Sequence, residues 1–263
     1  MDTAKKILNS MKLRFGKIAE SNDPVEIKEL NVVPNDFLKT NLELNEVLEN
    51  DLKDYLNSIV HIIAFSQGHF DMDDLFMKME PEPTHFCFLS ELNGRPVFYL
   101  PRMWATYGEK HTGVCFMFDK NMLISIAEKR LKEDYFFKHK KIKYSDFISG
   151  NALTKMWQTH IFDVEGVSKL GYKTVQKYLK KHNSNYFIKD VDWRDEREYR
   201  FLCWNKTIKK RDDVIELDIK SALVGIVLGL NCDEAEILKT ENSRKIDHIF
   251  KLSFDSDVKL LRL

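Results

Sequence analysis

The sequence predicts an α+β fold in a single domain, residues 1–263. Helical periodicity dominates the earlier part of the chain and strand-like runs fill the last third, without the regular strand–helix alternation of a doubly wound parallel sheet. No internal repeat, low-complexity tract or linker divides the sequence. Hydrophobic residues make up 43% and aromatic residues 12% of 263 residues, enough for a sizeable core and too many for global disorder.

Taken in order, "AKKILNSM" (residues 4–11) reads as a short helix, "KLRFGKI" alternates like a strand, and "SNDP" turns. From Asp36 to Phe65 apolar residues recur at helical spacing (Leu42, Leu44, Val47, Leu48, Leu52, Leu56, Ile59, Val60, Ile63), which predicts the longest early helix. "PEPTHF" ends the next helical stretch, because its two prolines cannot continue it. "HFCFLSE" and "TGVCFMFD" read as strands, the second opening near Gly113. "NMLISIAEKRLK" is an amphipathic helix that Asp119 or Asn121 can cap. "KKIKYSDF" is a short strand and turn, and Leu153 to Lys181 is helical and basic. The strands "EREYRFLCW", "VIELDI", "LVGIVLGL", "HIFKLSF" and "VKLLRL" follow, interrupted by a short helix at "CDEAEILKT".

Lysine plus arginine balance aspartate plus glutamate at 41 each, so net charge gives no reason to expect nucleic acid or membrane. The distribution is uneven, however. From Glu20 to Glu91 there are 16 acids against four lysines; from Lys129 to Lys181 there are 13 basic residues against five acids. This suggests two halves that face each other, or one basic face for a polyanion. None of the four cysteines forms a C-x-x-C pair. Cys87, Cys115 and Cys203 lie in apolar runs, as small buried hydrophobes do. A reduced, cytoplasmic setting is expected, and no apolar run approaches a membrane span.

The sequence has no G-x-G-x-x-G, P-loop, G-x-S-x-G or H-E-x-x-H motif. "HFDMDD" offers His69, Asp71, Asp73 and Asp74 but lacks the glycine and distal glutamate of a calcium loop, and reads as solvated surface. Two stretches stand out. "PRMWATYGEKHTGVCFMFD" (residues 101–119) concentrates Trp104, Tyr107, His111 and Cys115, either as well-filled core or as pocket lining. "DWRDEREYRF" (residues 192–201) places Glu196, Glu198 and Arg200 on one face if it is a continuous strand. Adjacent carboxylates repel, so removing one charge should leave folding intact or improve it. The segment is then either an exposed edge strand guarded by charge, or a carboxylate pair on a cleft floor, partly neutralised by Arg200.

Both stretches also carry a resemblance. "MWATYGEKHTGVCFMFD" (Met103 to Asp119) is similar to the pattern Met-Trp-x-x-Tyr-x-x-x-His-x-Gly-Val-Cys of a bacterial family called domain of unknown function 2971. Lys189 to Arg200 resembles its second signature, K-x-x-x-W-x-x-E-x-E-Y-R. "SNDPVE", "CFLSE" and "LVGIVLG" fit as well. More distantly, the layout resembles ADP-ribosyltransferase toxins of the DNA-modifying type: "FYLPRMW" is similar to their aromatic Pro-Arg-x-x-Met block and "EREYRF" to their late E-x-E strand. That likeness implies a split sheet. One departure concerns the start, where the family has a strand resembling Leu-Tyr-x-Tyr-x-Ser before its first helix. This chain opens at "MDTAKKIL", already in that helix, so "KLRFGKI" is expected to lack a neighbouring strand.

The resemblance implies a toxin or phage-defence effector that uses NAD to modify a nucleic acid or protein acceptor, with an antitoxin or defence-system partner and no membrane. Glu198 or Glu196 would stabilise the oxocarbenium-like charge formed as the nicotinamide–ribose bond breaks, and the other would activate the acceptor as general base. Tyr99, Trp104 or Tyr107 would stack on nicotinamide. Arg102 or His111 would contact the pyrophosphate, Arg200 would complete the NAD site, and the basic 129–181 region would meet a nucleic-acid acceptor. The two signatures would then line one cleft. The alternatives are a non-enzymatic nucleotide-binding or interaction module and a metal-dependent nuclease.

Overall fold

The computed structural model describes residues 2–18, 33–34, 60–66, 97–146, 161–162, 177, 179–181, 183–207, 214–254 and 258–263. Along the chain run α1 (Asp2–Ser10), β1 (Lys12–Arg14), β2 (Gly16–Lys17), β3 (Val33–Pro34), β4 (Val60–Ser66), α2 (Pro101–Thr106), β5 (Val114–Phe118), α3 (Lys120–Leu131), β6 (Tyr135–Lys141), β7 (Lys143–Ser145), β8 (Ile161–Phe162), β9 (Ile188–Asp190), β10 (Glu198–Asn205), β11 (Glu216–Asp218), β12 (Leu223–Leu228), α4 (Glu234–Leu238), β13 (Ile249–Phe254) and β14 (Val258–Arg262). Tight 3₁₀ turns cover Val97–Tyr99, Asn183–Phe187, Val191–Glu196 and Ser243–Lys245. The fold is α+β, as the sequence predicts. No helix among the described residues is long and apolar enough to cross a membrane.

The chain builds two compact units from interleaved segments. The first takes residues 1–13, 66–127 and 216–263; the second takes residues 14–65 and 128–215. In the first, a mixed sheet runs in the order β14-β13-β12-β5, with β12 parallel to β13 and antiparallel to β5. Both faces of β12 are buried, which explains its unbroken apolar run. Val227 joins Phe98, Trp104, Phe250, Leu252 and Leu260 in one cluster. Ile226 and Leu228 join Leu8 of α1 and Ile237 of α4 in the other. α3 starts where expected, with the Asp119 carboxylate accepting the Met122 N–H at 2.8 Å. It buries Leu123, Ala127 and Leu131, four residues apart on one face.

In the second unit a four-stranded sheet runs β2-β4-β10-β6, with β10 antiparallel to β6 from Tyr199↔Lys141 to Asn205↔Tyr135. Small parallel pairs join β3 to β8 and β7 to β9. β10 is thus interior, and Phe201 to Asn205 are all buried along it.

Four expectations need correction. Val60–Ser66 is a strand rather than the end of a long helix; its β-branched Val60, Ile62 and Ile63 favour extended backbone despite the helical spacing. The rest of that stretch, and Cys87, lie outside the described residues. Ile161–Phe162 is likewise a strand inside the stretch read as helical. "KLRFGKI" is two strands: β1 pairs with β11, and β2 pairs with β4. They divide at Phe15, which is buried and donates its N–H to the Ile215 carbonyl at 2.8 Å. Finally, of the cysteines expected to be buried, Cys203 is, whereas Cys115 is partly exposed.

Gly225 sits at a register shift in the β12–β5 pairing. A Cβ built there would lie 2.5 Å from the His248 carbonyl oxygen and 2.8 Å from the Met117 methyl. Gly225→Ala is expected to lower unfolding free energy by about 1–3 kcal/mol, since backbone must move to admit the methyl. Urea denaturation measures it, and an unchanged midpoint would contradict the packing described.

Candidate functional site

The second signature folds into one buried network. β9 carries Lys189, and the chain then turns tightly through Val191–Glu196. The Asp190 side chain starts this turn by accepting the Asp192 N–H at 2.9 Å. Arg197 ends it in the left-handed region, φ 48 and ψ 46, a conformation that costs a non-glycine residue about 1–2 kcal/mol. The reversal brings Glu196, from the turn, and Glu198, from β10, to the same ammonium. Lys189 Nζ donates to Glu196 Oε2 at 2.7 Å and to Glu198 Oε2 at 3.3 Å. Arg200, two residues along β10, grips Glu198 with both arms: Nε to Oε1 at 2.5 Å and Nη2 to Oε2 at 3.0 Å. Its Nη1 donates to the Tyr186 carbonyl at 2.8 Å, tying down the Asn183–Phe187 turn.

These groups are almost dry. Lys189 is 7% exposed, Glu196 8%, Glu198 3% and Arg200 1%. Two aromatic residues complete the surroundings. The Trp193 ring lies 4.8 Å from Lys189 Nζ, a cation–π contact. Tyr144 stands opposite Lys189 in the parallel β7–β9 register, and its hydroxyl accepts the Glu198 N–H at 2.8 Å. Burial pushes the Tyr144 phenol up and the Glu198 charge adds to this, with the hydrogen bond from Glu198 opposing. The Tyr186 hydroxyl is buried with no hydrogen-bond partner among the described residues, and burial pushes that phenol up too.

Sequence reasoning placed Glu196, Glu198 and Arg200 together on one strand face. They do meet, but by another route, since Glu196 belongs to the turn before the strand. The exposed-edge alternative fails, because β10 is interior and all three side chains are buried. Lys189 and Trp193 were missed as site residues, although the signature spells them out. Tyr144 had no local signal, since it lies 54 residues from Glu198.

The first signature lies in the other unit. Trp104 is 4% exposed in the core of that unit, donates its indole N–H to the Phe98 carbonyl at 2.8 Å and stacks on His111, with ring centroids 5.6 Å apart. Glu109, Lys110 and His111 are consecutively left-handed, at φ 48, 55 and 71. The loop is latched by Asn231 N–H to the His111 carbonyl at 2.9 Å. A Cβ on Gly229 would lie 2.2 Å from that carbonyl oxygen, which is why glycine stands there. His111 Nδ1 is buried with no hydrogen-bond partner among the described residues. Tyr99 packs on Phe98 at 4.8 Å. Arg102 is exposed and Tyr107 is 48% exposed. Trp104 is thus engaged on one ring face and at its N–H, and Tyr107 is far the more exposed of the two rings.

Among the described residues, no group of three His, Cys, Asp or Glu side chains is placed to hold a metal ion. Residues 103–201 match the family described as protein of unknown function (DUF2971), a segment that runs through both signatures and amounts to less than half the chain. No curated protein and no solved structure matches.

The network reverses one expectation drawn from charge repulsion. Glu198 is held by two buried cations, so Glu198→Gln leaves positive charge uncompensated. It is expected to cost about 3–5 kcal/mol of stability, as breaking buried pairs does. Denaturant melts of the variant measure this, and a variant as stable as the parent would show that repulsion dominates.

Proposed function

We propose that the protein is an NAD-consuming ADP-ribosyltransferase of the toxin or phage-defence kind, acting in the cytoplasm on a nucleic-acid or protein acceptor. The observation that carries this reading is the meeting of two carboxylates, two cations and two aromatic side chains between Tyr144 and Arg200. Transfer of ADP-ribose can use each of these groups. A fixed carboxylate stabilises positive charge developing on the ribose, and Glu198 is fixed by the Arg200 fork. A second carboxylate takes the acceptor proton, and Glu196 is assigned that role.

Lys189 is the movable member, a single ammonium on a flexible stem that bridges both acids. When the substrate enters, it swings from Glu196 to the pyrophosphate, releasing the base. Trp193 and Tyr144 supply an aromatic surface beside the acids, and the Tyr186 hydroxyl, without a hydrogen-bond partner among the described residues, is a donor in reserve for the substrate. An antitoxin or defence-system partner would restrain such an activity.

A second reading has its own support. The network holds two acids and two bases, so its charges cancel and it is complete as an internal anchor. On that reading the protein is a non-enzymatic binding module. The nuclease alternative has no comparable observation, since both carboxylates are already engaged by cations.

Incubating the full chain with NAD and cell extract, then measuring nicotinamide release and added ADP-ribose mass on nucleic acid and protein, separates the two. The enzyme reading expects turnover by the parent and a loss of roughly a hundred- to a thousandfold in Glu198→Gln, scored on its folded fraction. Glu196→Gln is expected to keep NAD cleavage while losing acceptor labelling. No nicotinamide release by the parent, with or without extract, would leave the binding module.

A further inference from the structure

The outer edge of the second unit's sheet is basic in an unusual way. β6 is the end strand among the described residues, and it carries Lys138, Lys140 and Lys141, all exposed. Lys138 and Lys140 share a face of the strand, about 6.8 Å apart by strand geometry. Their cross-strand partners on β10 are Leu202 and Arg200, so no carboxylate stands opposite either. None of the three forms an ion pair among the described residues, in contrast to Lys5, Lys12, Lys220 and Lys251, each of which pairs with an acid.

An aromatic ring lies beside this row. Phe136, on the same strand face as Lys138 and Lys140, is partly exposed, with Lys180 Nζ 4.4 Å and Lys206 Nζ 5.6 Å from its centroid. Two cations thus flank the Phe136 ring, and Lys140 Nζ lies 5.9 Å from the Phe187 ring, at a sheet edge whose outward backbone groups have no strand partner among the described residues.

We infer that the β6 edge binds single-stranded nucleic acid, with Lys138, Lys140, Lys141, Lys180 and Lys206 tracking phosphates and Phe136 receiving a base. Lysines that track a backbone, interleaved with an aromatic face, are what binding of a single strand without sequence preference requires. A duplex hides its base faces and would leave Phe136 without a partner. An acidic peptide would use the charges but not the ring. The edge lysines also have a simpler role, blocking edge-to-edge aggregation, and the test must separate the two. The inference does not rest on NAD chemistry, because binding is read with NAD absent.

The experiment is fluorescence anisotropy of a labelled 20-nucleotide oligo-dT with the full-length protein across a salt series. Neutralising four to five phosphates predicts a slope of log K against log salt of about −3, at roughly −0.7 per phosphate. Lys138→Ala/Lys140→Ala is expected to reduce the steepness by about 1.4 and to weaken binding roughly tenfold or more at 50 mM salt. Phe136→Leu should weaken binding with the slope unchanged, which a purely electrostatic surface would not do. Lys220→Ala/Lys239→Ala is the charge-matched control and should bind like the parent. Melts confirm that each variant is folded, and binding is scored on the folded fraction. Absent binding at low salt, or binding unaffected by the Lys138/Lys140 pair, overturns the inference, with aggregation of that variant then assigning the lysines to edge protection. Tighter binding to a duplex of the same length or to a poly-glutamate peptide overturns the single-strand assignment.

Discussion

Lys189 places one ammonium between two carboxylates where little water reaches, and three pieces of chain depend on it. β9 supplies the lysine, the following turn supplies Glu196, and β10 supplies Glu198. Arg200 extends the constraint to a fourth piece by holding the Tyr186 carbonyl. If the ammonium were removed, both acids would face each other almost dry, with the guanidinium bound to only one of them. The turn, the left-handed Arg197 and the start of β10 all make sense as the backbone path that delivers those side chains to one point.

Four buried charges are a costly way to hold a turn. Each loses several kcal/mol of hydration, and an apolar patch of equal volume usually serves as well or better. Arg197 adds its own conformational cost. Together with the Tyr186 hydroxyl, which has no hydrogen-bond partner among the described residues, these costs favour a network kept for its chemistry or its recognition over one kept for stability. The first signature has a different character. Its tryptophan is packed and hydrogen-bonded, its histidine stacked, and its loop latched, so most of that pattern encodes a shape.

Where one periodicity ruled, the sequence was legible. The apolar runs of β12 and β13 and the capped, amphipathic α3 stand where pattern and cap chemistry put them. It was least legible where two signals competed. At Val60 to Ser66 helical spacing and β-branched composition point in opposite directions, and composition won. The carboxylate pair was found, but through a period-two argument that requires a continuous strand, which Arg197 interrupts. Lys189 sat in plain view within the signature, yet nothing local links it to Glu196 and Glu198; the link is a turn whose hand is set by a single left-handed residue. Tyr144 comes from a parallel pairing across the chain, and local patterning carries no information about that.

The central claim is that Lys189 and Glu196 are energetically one unit, and a double-mutant cycle tests it most directly. Unfolding free energies would be measured by urea denaturation for the parent, Lys189→Met, Glu196→Gln and the double variant. Contacting members of one charge network couple by up to about 3 kcal/mol, and the account predicts a coupling above about 1.5 kcal/mol, with the double variant more stable than the sum of its parts implies. A coupling of no more than about 0.5 kcal/mol, the additivity of independent sites, would contradict it.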